Sequence, residues 1–205
     1  MSDDLVTTTE QLEAIYGRPL ETSLMKEQPG LTPHYRPFIE HAPFMVLATS
    51  GPEGLDCSPR GDAPGFVRIV DDKTLAVPDR RGNNRIDSLR NVVRDPRVAL
   101  LFIVPGVGET LRVNGRAKIS IDKALLESFV VDGKAPRSVL IVTIDSVYYQ
   151  CTKALVRSHL WDAARHVERK RLPSPGDMLS AASKGKFDGA AYDKAYPERI
   201  KQTIY

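Results

Sequence analysis

Two periods divide the chain. Between Thr9 and Pro43 apolar residues recur every three or four positions, with Leu12 and Ile15 ahead of Gly17 and Tyr35, Phe38 and Ile39 ahead of Pro43. That spacing gathers apolar side chains on one side of a helix, so two short surface helices are expected, the first capped by Thr9 and a prolyl linker between them. From Phe44 onward the period shortens to two, or gives way to continuous apolar runs, as in strands. Phe44–Thr49 enters the turn SGPEG and returns as LDCSPRGD, and Phe66–Val70 and Thr74–Val77 flank a turn at Asp71-Asp72. VALLFIVPG is apolar throughout, which predicts a strand covered on both faces. TLRVNGRAKISI alternates, with Thr110, Arg112 and Asn114 on one side and Leu111 and Val113 on the other, and RSVLIVTIDSVYYQ supplies the last long strand. Between these strands, one helix is expected from a cap at Asn84, its Ile86, Leu89, Val92 and Val93 repeating until Asp95-Pro96, and another over DKALLESFV with Asp122 as its cap.

Six or seven strands joined mostly by hairpins predict a mainly β fold with peripheral helices, an antiparallel barrel with short helices on its rim. After about residue 163 the chain becomes charged and prolyl (HVERKRLPSPGD), then small and polar (SAASKGKFDGAAYDKAY), which predicts an extension with one short helix. The organisation read from the sequence is therefore an N-terminal helical extension over 1–41, one barrel domain over 42–162 and a C-terminal extension over 163–205. A chain of 205 residues, 41% hydrophobic and 27% charged, is long enough for one core. Its net charge of +3 is too small to argue for nucleic acid or an anionic membrane. Cys57 and Cys151 have no metal-ligand spacing, the opening MSDDLVTTTE has no basic-then-apolar leader, and no apolar run reaches the roughly 20 residues of a membrane helix. A soluble, cytoplasmic protein without nucleic-acid or membrane partners is expected.

Charge is concentrated in VPDRRGNNRIDSLRN, between the end of a strand and the start of a helix. Gly82 would let the backbone approach a ligand or take a positive φ, the helix start would present unpaired N–H groups, and Arg80, Arg81 and Arg85 would add cations. This is the chemistry of a phosphate site. GxxxxGK[ST] and GxGxxG are both absent, so neither of the two common nucleotide loops is present. A solvated arginine face is the alternative reading of the same residues.

SPRGDAPGFV, LAVPDRRGNNRIDSLRN, DPRVALLF, PGVGETLRVNGRA and YYQCTKALVRSHLW, in that order from about Ala42 to Trp161, resemble the pyridoxamine 5'-phosphate oxidase-like, FMN-binding split-barrel family. The resemblance implies a homodimeric antiparallel split β-barrel holding FMN at the subunit interface, with hydride transfer through the flavin to or from a small redox substrate and NAD(P)H as a possible donor. It places Arg60 against the flavin or its ribityl-phosphate, Pro78 and Asp79 at the ring edge, and Arg80, Asn83, Asn84 and Arg85 on the phosphate. Thr110 and Arg112 would face the pyrimidine side. Lys153, Arg157 and Ser158 would come from the other subunit, with Trp161 nearby. Basic groups there would favour the charged reduced flavin.

Other assignments compete for several of these residues: an Arg60–Asp62 surface pair, Arg112 neutralising Glu109 or Glu127, and a solvent-facing Lys153/Arg157 stripe. Arg157 and His159 have the Arg-x-His spacing of true pyridoxamine phosphate oxidases, but their surroundings do not match, so vitamin B6 oxidation is not expected. His34, His41, His159 and His166 form no triad or metal spacing. Of the four, only His159 lies beside the predicted cofactor site, where it is the one histidine to consider as an acid or base. The same fold also hosts proteins that bind flavin, F420 or haem without turnover, so a binding or sensor protein is the alternative function.

Overall fold

The computed structural model describes residues 5–205, and the first four residues of the expected N-terminal extension lie outside them. Seven strands form one antiparallel sheet: β1 (Phe44–Gly51), β2 (Gly54–Gly61), β3 (Arg68–Asp71), β4 (Thr74–Pro78), β5 (Arg97–Ile103), β6 (Thr110–Ser120) and β7 (Val139–Gln150), in the order β2-β1-β5-β6-β7-β4-β3. Between β2 and β4 lie four strands, and on a flat sheet five steps of about 4.8 Å would separate them by about 24 Å. Yet Arg60 on β2 forms an ion pair with Asp79, the residue after β4. The sheet must therefore be rolled nearly shut, which makes it a split barrel with its seam between β2 and the β3–β4 hairpin.

Met45 and Leu47 of β1, Leu100 and Phe102 of β5, Leu111 and Val113 of β6 and Val142 of β7 fill the interior, and Ile39 plugs one end. Strand β5 is buried on one face only. Val98, Leu100 and Phe102 are inside, while Ala99, Leu101 and Ile103 are half-exposed, so the continuous apolar run does not mark a strand covered on both sides within one chain.

Before the barrel come α1 (Thr9–Tyr16), α2 (Glu21–Met25) and α3 (Arg36–His41). The cap of α1 is Thr8 rather than Thr9. Its hydroxyl accepts the Gln11 amide while Gln11 reaches back, forming a capping box. The expected linker forms α2. Helix α4 (Asp87–Arg94) sits between β4 and β5, and α5 (Lys123–Ser128) is capped by Asp122 as expected, its carboxylate accepting the Leu125 amide at 2.8 Å.

The buried face of α4 is Ser88, Asn91 and Val92, and Val93 is exposed. Val92 and the half-buried Leu89 pack on the core as the apolar spacing predicts, but Ile86 and Val93 do not, because polar Ser88 and Asn91 take part of the seat on the barrel. The Asn91 side chain donates to Thr49 Oγ1 at 3.1 Å, close above Gly51, where a Cβ would meet Asn91 Oδ1 at 2.2 Å. After β7 come α6 (Lys153–Ser158), two 3-10 turns, α7 (Pro175–Ala182) and α8 (Gly189–Thr203), so the last segment is more ordered than the single short helix expected. Helices α7 and α8 cross where Gly176 and Gly189 touch backbone to backbone, with Asp193 accepting the Gly176 amide at 2.9 Å and the Ser174 hydroxyl. Among the described residues no helix is long and apolar enough to cross a membrane.

Candidate functional site

The barrel seam opens into a cavity of about 620 Å³, within the range of sites that enclose a small ligand. Its walls are the inward row of β2, the end of β4 with the loop after it, the first turn of α4, and Arg137 and Ser138 ahead of β7. Charge marks the loop after β4 in the sequence and the family resemblance adds Arg60, and the fold explains why they meet. Pairing of Pro78 with Val139 puts Ser138 beside Asp79, whose amide donates to the Ser138 carbonyl at 2.9 Å. Of the expected site residues, Arg60, Pro78, Asp79, Arg80, Asn83, Asn84 and Arg85 all line this cavity. Pro78 lacks an N–H and that of Asp79 is already used, so the backbone of these two can offer a ligand only carbonyl oxygens.

Alternation along β2 turns Asp56, Ser58 and Arg60 to the same side. They meet Ser88 of α4 in a closed network: Ser88 Oγ donates to Asp56 at 2.5 Å, lies 2.9 Å from Ser58 Oγ and accepts from Arg60 Nη2 at 3.3 Å. That saturates the serine, so Ser88 holds the wall and is not free for a ligand. Arg60 pairs with Asp79 and not with Asp62, the two side chains being 18% and 17% exposed. Its Nε is buried without a partner, a donor that costs about 1–3 kcal/mol until an acceptor reaches it.

Five arginines and three aspartates line the cavity. Asp79 is matched by Arg60 and Asp87 by Arg85 at 2.8 Å, while Asp62, behind the wall, holds Arg80 at 2.7 Å. Among the described residues Arg81 has no ion-pair partner, and Arg137 donates only to Asn84 Oδ1 at 3.0 Å. Asp56 accepts from Ser88 and has no cation of its own among the described residues, so the five arginines exceed the four carboxylates, Asp62 included, by one, and Arg81 and Arg137 are the two arginines not paired with a carboxylate. Arg81 is marked in the sequence by its charge, whereas Arg137 carries no local signal, because the strand pairing that brings it to Asn84, 53 residues back, is not visible locally. Asp56 and Ser58, by contrast, are marked by their period-two spacing with Arg60.

The helix does not begin at Asn84. Asn84 and Ile86 take the left-handed conformation, with φ of 60° and 55°, and Ile86 is the residue before α4, with no side chain capping the first turn. The amides of that turn therefore stay available on the cavity wall, carrying the positive end of the helix dipole. Gly82 is not among the residues with positive φ and has open space around its Cβ position, so the strained backbone falls two and four residues later. A β-branched residue in this conformation costs about 1–2 kcal/mol. Since Ile86 is exposed and gives up little packing, Ile86→Gly should raise the unfolding free energy by about 0.5–1 kcal/mol, read from the urea midpoint at constant slope.

The remaining expected site residues lie elsewhere on the chain. Thr110 is buried at the start of β6, opposite Gln150. Arg112 donates from Nε to Asn114 Oδ1 at 3.2 Å and lies over the Tyr148 ring, paired with neither Glu109 nor Glu127. Lys153, Arg157 and Ser158 are on α6, which His159 ends in a left-handed conformation. Trp161 donates its indole N–H to the Val107 carbonyl at 2.8 Å, tying the end of this segment to the β5–β6 turn. None of these residues lines the cavity in one chain.

The family model for pyridoxamine 5'-phosphate oxidase matches residues 31–151. Among solved structures the chain is similar to HupZ of Group A Streptococcus, at 17% identity over 59% of this chain and 94% of that one, with a TM-score of 0.49. It is similar also to a candidate pyridoxamine 5'-phosphate oxidase of Lactobacillus delbrueckii, at 19% identity over 60% and 99%, TM-score 0.48. An F420 reductase aligns at 20% identity over 58% and 98%, TM-score 0.41. Comparison with curated proteins finds no match.

Proposed function

This chain belongs to the pyridoxamine 5'-phosphate oxidase family, and from that premise we propose that it is an FMN-dependent oxidoreductase whose seam cavity holds the phosphate of the flavin while a small redox substrate meets the ring. Family members generally bind flavins and are commonly dimeric. The observation that carries the reading is the cationic corner itself: Arg81 and Arg137 without a carboxylate, an uncapped helix start, and a buried Arg60 Nε awaiting an acceptor, all on one cavity. A dianionic phosphate is the kind of ligand that cations and unpaired helix amides favour together. The flavin, when bound, supplies the hydride and electron chemistry, and the chain's own residues bind it, orient it and exclude water.

The second group of residues enters through a second subunit. Lys153 and Arg157 lie four apart on α6, next to exposed Val156, Leu160 and Trp161, an apolar and cationic surface suited to burial against another copy. In this reading Lys153, Arg157 and Ser158 of one subunit complete the flavin site whose phosphate corner belongs to the other, with Thr110 and Arg112 toward the pyrimidine side of the ring.

The test begins with the absorption spectrum of the purified protein, the mass of any released cofactor, and bleaching by reduced nicotinamide. Arg81→Ala, and to a smaller degree Arg85→Ala, whose guanidinium is already paired with Asp87, should weaken FMN by about 10–100-fold and riboflavin by less than about threefold, since only FMN has the phosphate. Equal losses for both ligands would remove the phosphate assignment.

A further inference from the structure

The end of the last helix returns to the cavity. Ile200, Thr203 and Ile204 face Arg81 and Gly82 across a second space of about 400 Å³, so one loop forms a wall of both. Tyr205, just after α8, donates its hydroxyl to Asp62 Oδ1 at 2.7 Å across 143 residues of sequence. The other oxygen of Asp62 takes the Arg80 Nε–H at 2.7 Å, Arg80 Nη1 donates to the Phe129 carbonyl at 2.7 Å, and the guanidinium lies 5.6 Å from the centre of the Tyr205 ring. The Asp62 side chain is 3% exposed and that of Arg80 15%. This pair is therefore largely removed from water, where its geometry holds firmly.

We propose that Tyr205 is a positioning residue for the phosphate corner, fixing Arg80 through Asp62, so that the end of α8 is part of the ligand site. The inference rests on the FMN reading for its ligand. A guanidinium has five N–H donors, and the bonds to Asp62 and Phe129 use two, leaving Arg80 oriented yet with donors to spare on a cavity it already lines. An arginine held in place before the ligand arrives loses less freedom on binding than a mobile one. Tyr205 contributes by anchoring the carboxylate. Asp62 Oδ1 accepts both its hydroxyl and the Ala63 amide, at 2.8 Å, which fixes the plane in which Oδ2 meets Arg80. Burial works against the Asp62 charge, but Tyr205, Ala63 and Arg80 together hold its carboxyl below the usual range, and the same bond raises the Tyr205 phenol. All of α8 lies beyond residue 151, where the family match ends, so this wall is a feature of the chain outside the matched region.

Tyr205→Phe, which removes one oxygen and keeps the ring, should raise the dissociation constant for FMN by about 5–10-fold and that for riboflavin by less than about twofold. By linkage, FMN should slow amide exchange over residues 199–205 in the parent protein, and this slowing should be lost in Tyr205→Phe. An arm without flavin tests the contact directly: Tyr205→Phe and Asp62→Asn should each speed exchange in that segment by about tenfold, and inorganic phosphate should slow it in the parent. Unchanged exchange in both variants, or equal effects on FMN and riboflavin, overturns the proposal. Accelerated exchange and protection by phosphate in a protein that takes up no flavin would instead sink the FMN reading and leave Tyr205 in its positioning role.

Discussion

Arg60→Met unfolds at a lower urea concentration than the parent, with a loss of about 2–4 kcal/mol. The size follows from what stays behind. Asp79 has Arg60 as its ion-pair partner and is 17% exposed, so a methionine leaves a carboxylate largely withdrawn from water and unpaired. The arginine also donates to Ser88, the hydroxyl that joins β2 to α4. Removing the charge on the other side as well should return part of the loss. Arg60→Met with Asp79→Asn is expected to be more stable than Arg60→Met alone, with a coupling energy of about 1–3 kcal/mol from the double-mutant cycle. Additive effects would mean that Arg60 and Asp79 are independently solvated and that the seam is not closed by their pair. Because the Arg60 Nε is an orphan, added FMN should raise the midpoint of the parent and raise that of Arg60→Met less.

Mixing two defective proteins should restore flavin binding. In a two-fold dimer whose sites each take the loop of one subunit and α6 of the other, Arg81→Ala spoils both sites from the loop side and Arg157→Ala spoils both from the α6 side. A mixed dimer then has one site with both defects and one with neither. After random exchange of subunits half of the dimers are mixed, so FMN per chain should rise from near zero in each parent to about 0.25. The measurement is flavin absorbance after gel filtration, with the two variants refolded together or apart. No rise on mixing would place the whole site in one chain, and normal binding by Arg157→Ala alone would remove α6 from it.

Much of the barrel is legible because its signals are local. The hairpin at SGPEG, the alternation in β6 and the Asp122 cap each depend on a few neighbouring residues and appear where the pattern places them, while the second hairpin turns one residue later than expected, at Asp72-Lys73, and its first strand starts at Arg68 rather than Phe66. The errors fall where side chains answer to distant partners. Helix α4 is seated by Asn91 on Thr49 rather than by Val93, and its first turn is set by two left-handed residues that no propensity favours in an isoleucine. Helices α7 and α8 exceed the one short helix expected because they are held less by apolar repetition than by side-chain caps at Ser174 and Asp188 and a backbone crossing at Gly176 and Gly189, whereas α2 forms inside the expected linker without a side-chain cap.

The same division holds at the site. The crowding of Arg80, Arg81, Asn83, Asn84 and Arg85 after a strand is a property of consecutive residues, and charge that dense at a strand-to-helix corner follows from order in the chain alone. Which of those arginines keeps its charge free is not a local property. It follows from the rolling of the sheet, which brings Asp79 to Arg60, Asp62 to Arg80 and Arg137 to Asn84. Periodicity and turn chemistry act over a few residues, so the chain's order determined the strands, the hairpins and the basic loop. Neutralisation acts through space over a few ångströms, so only the closed barrel and the return of Tyr205 to Asp62 decided which cations face the cavity.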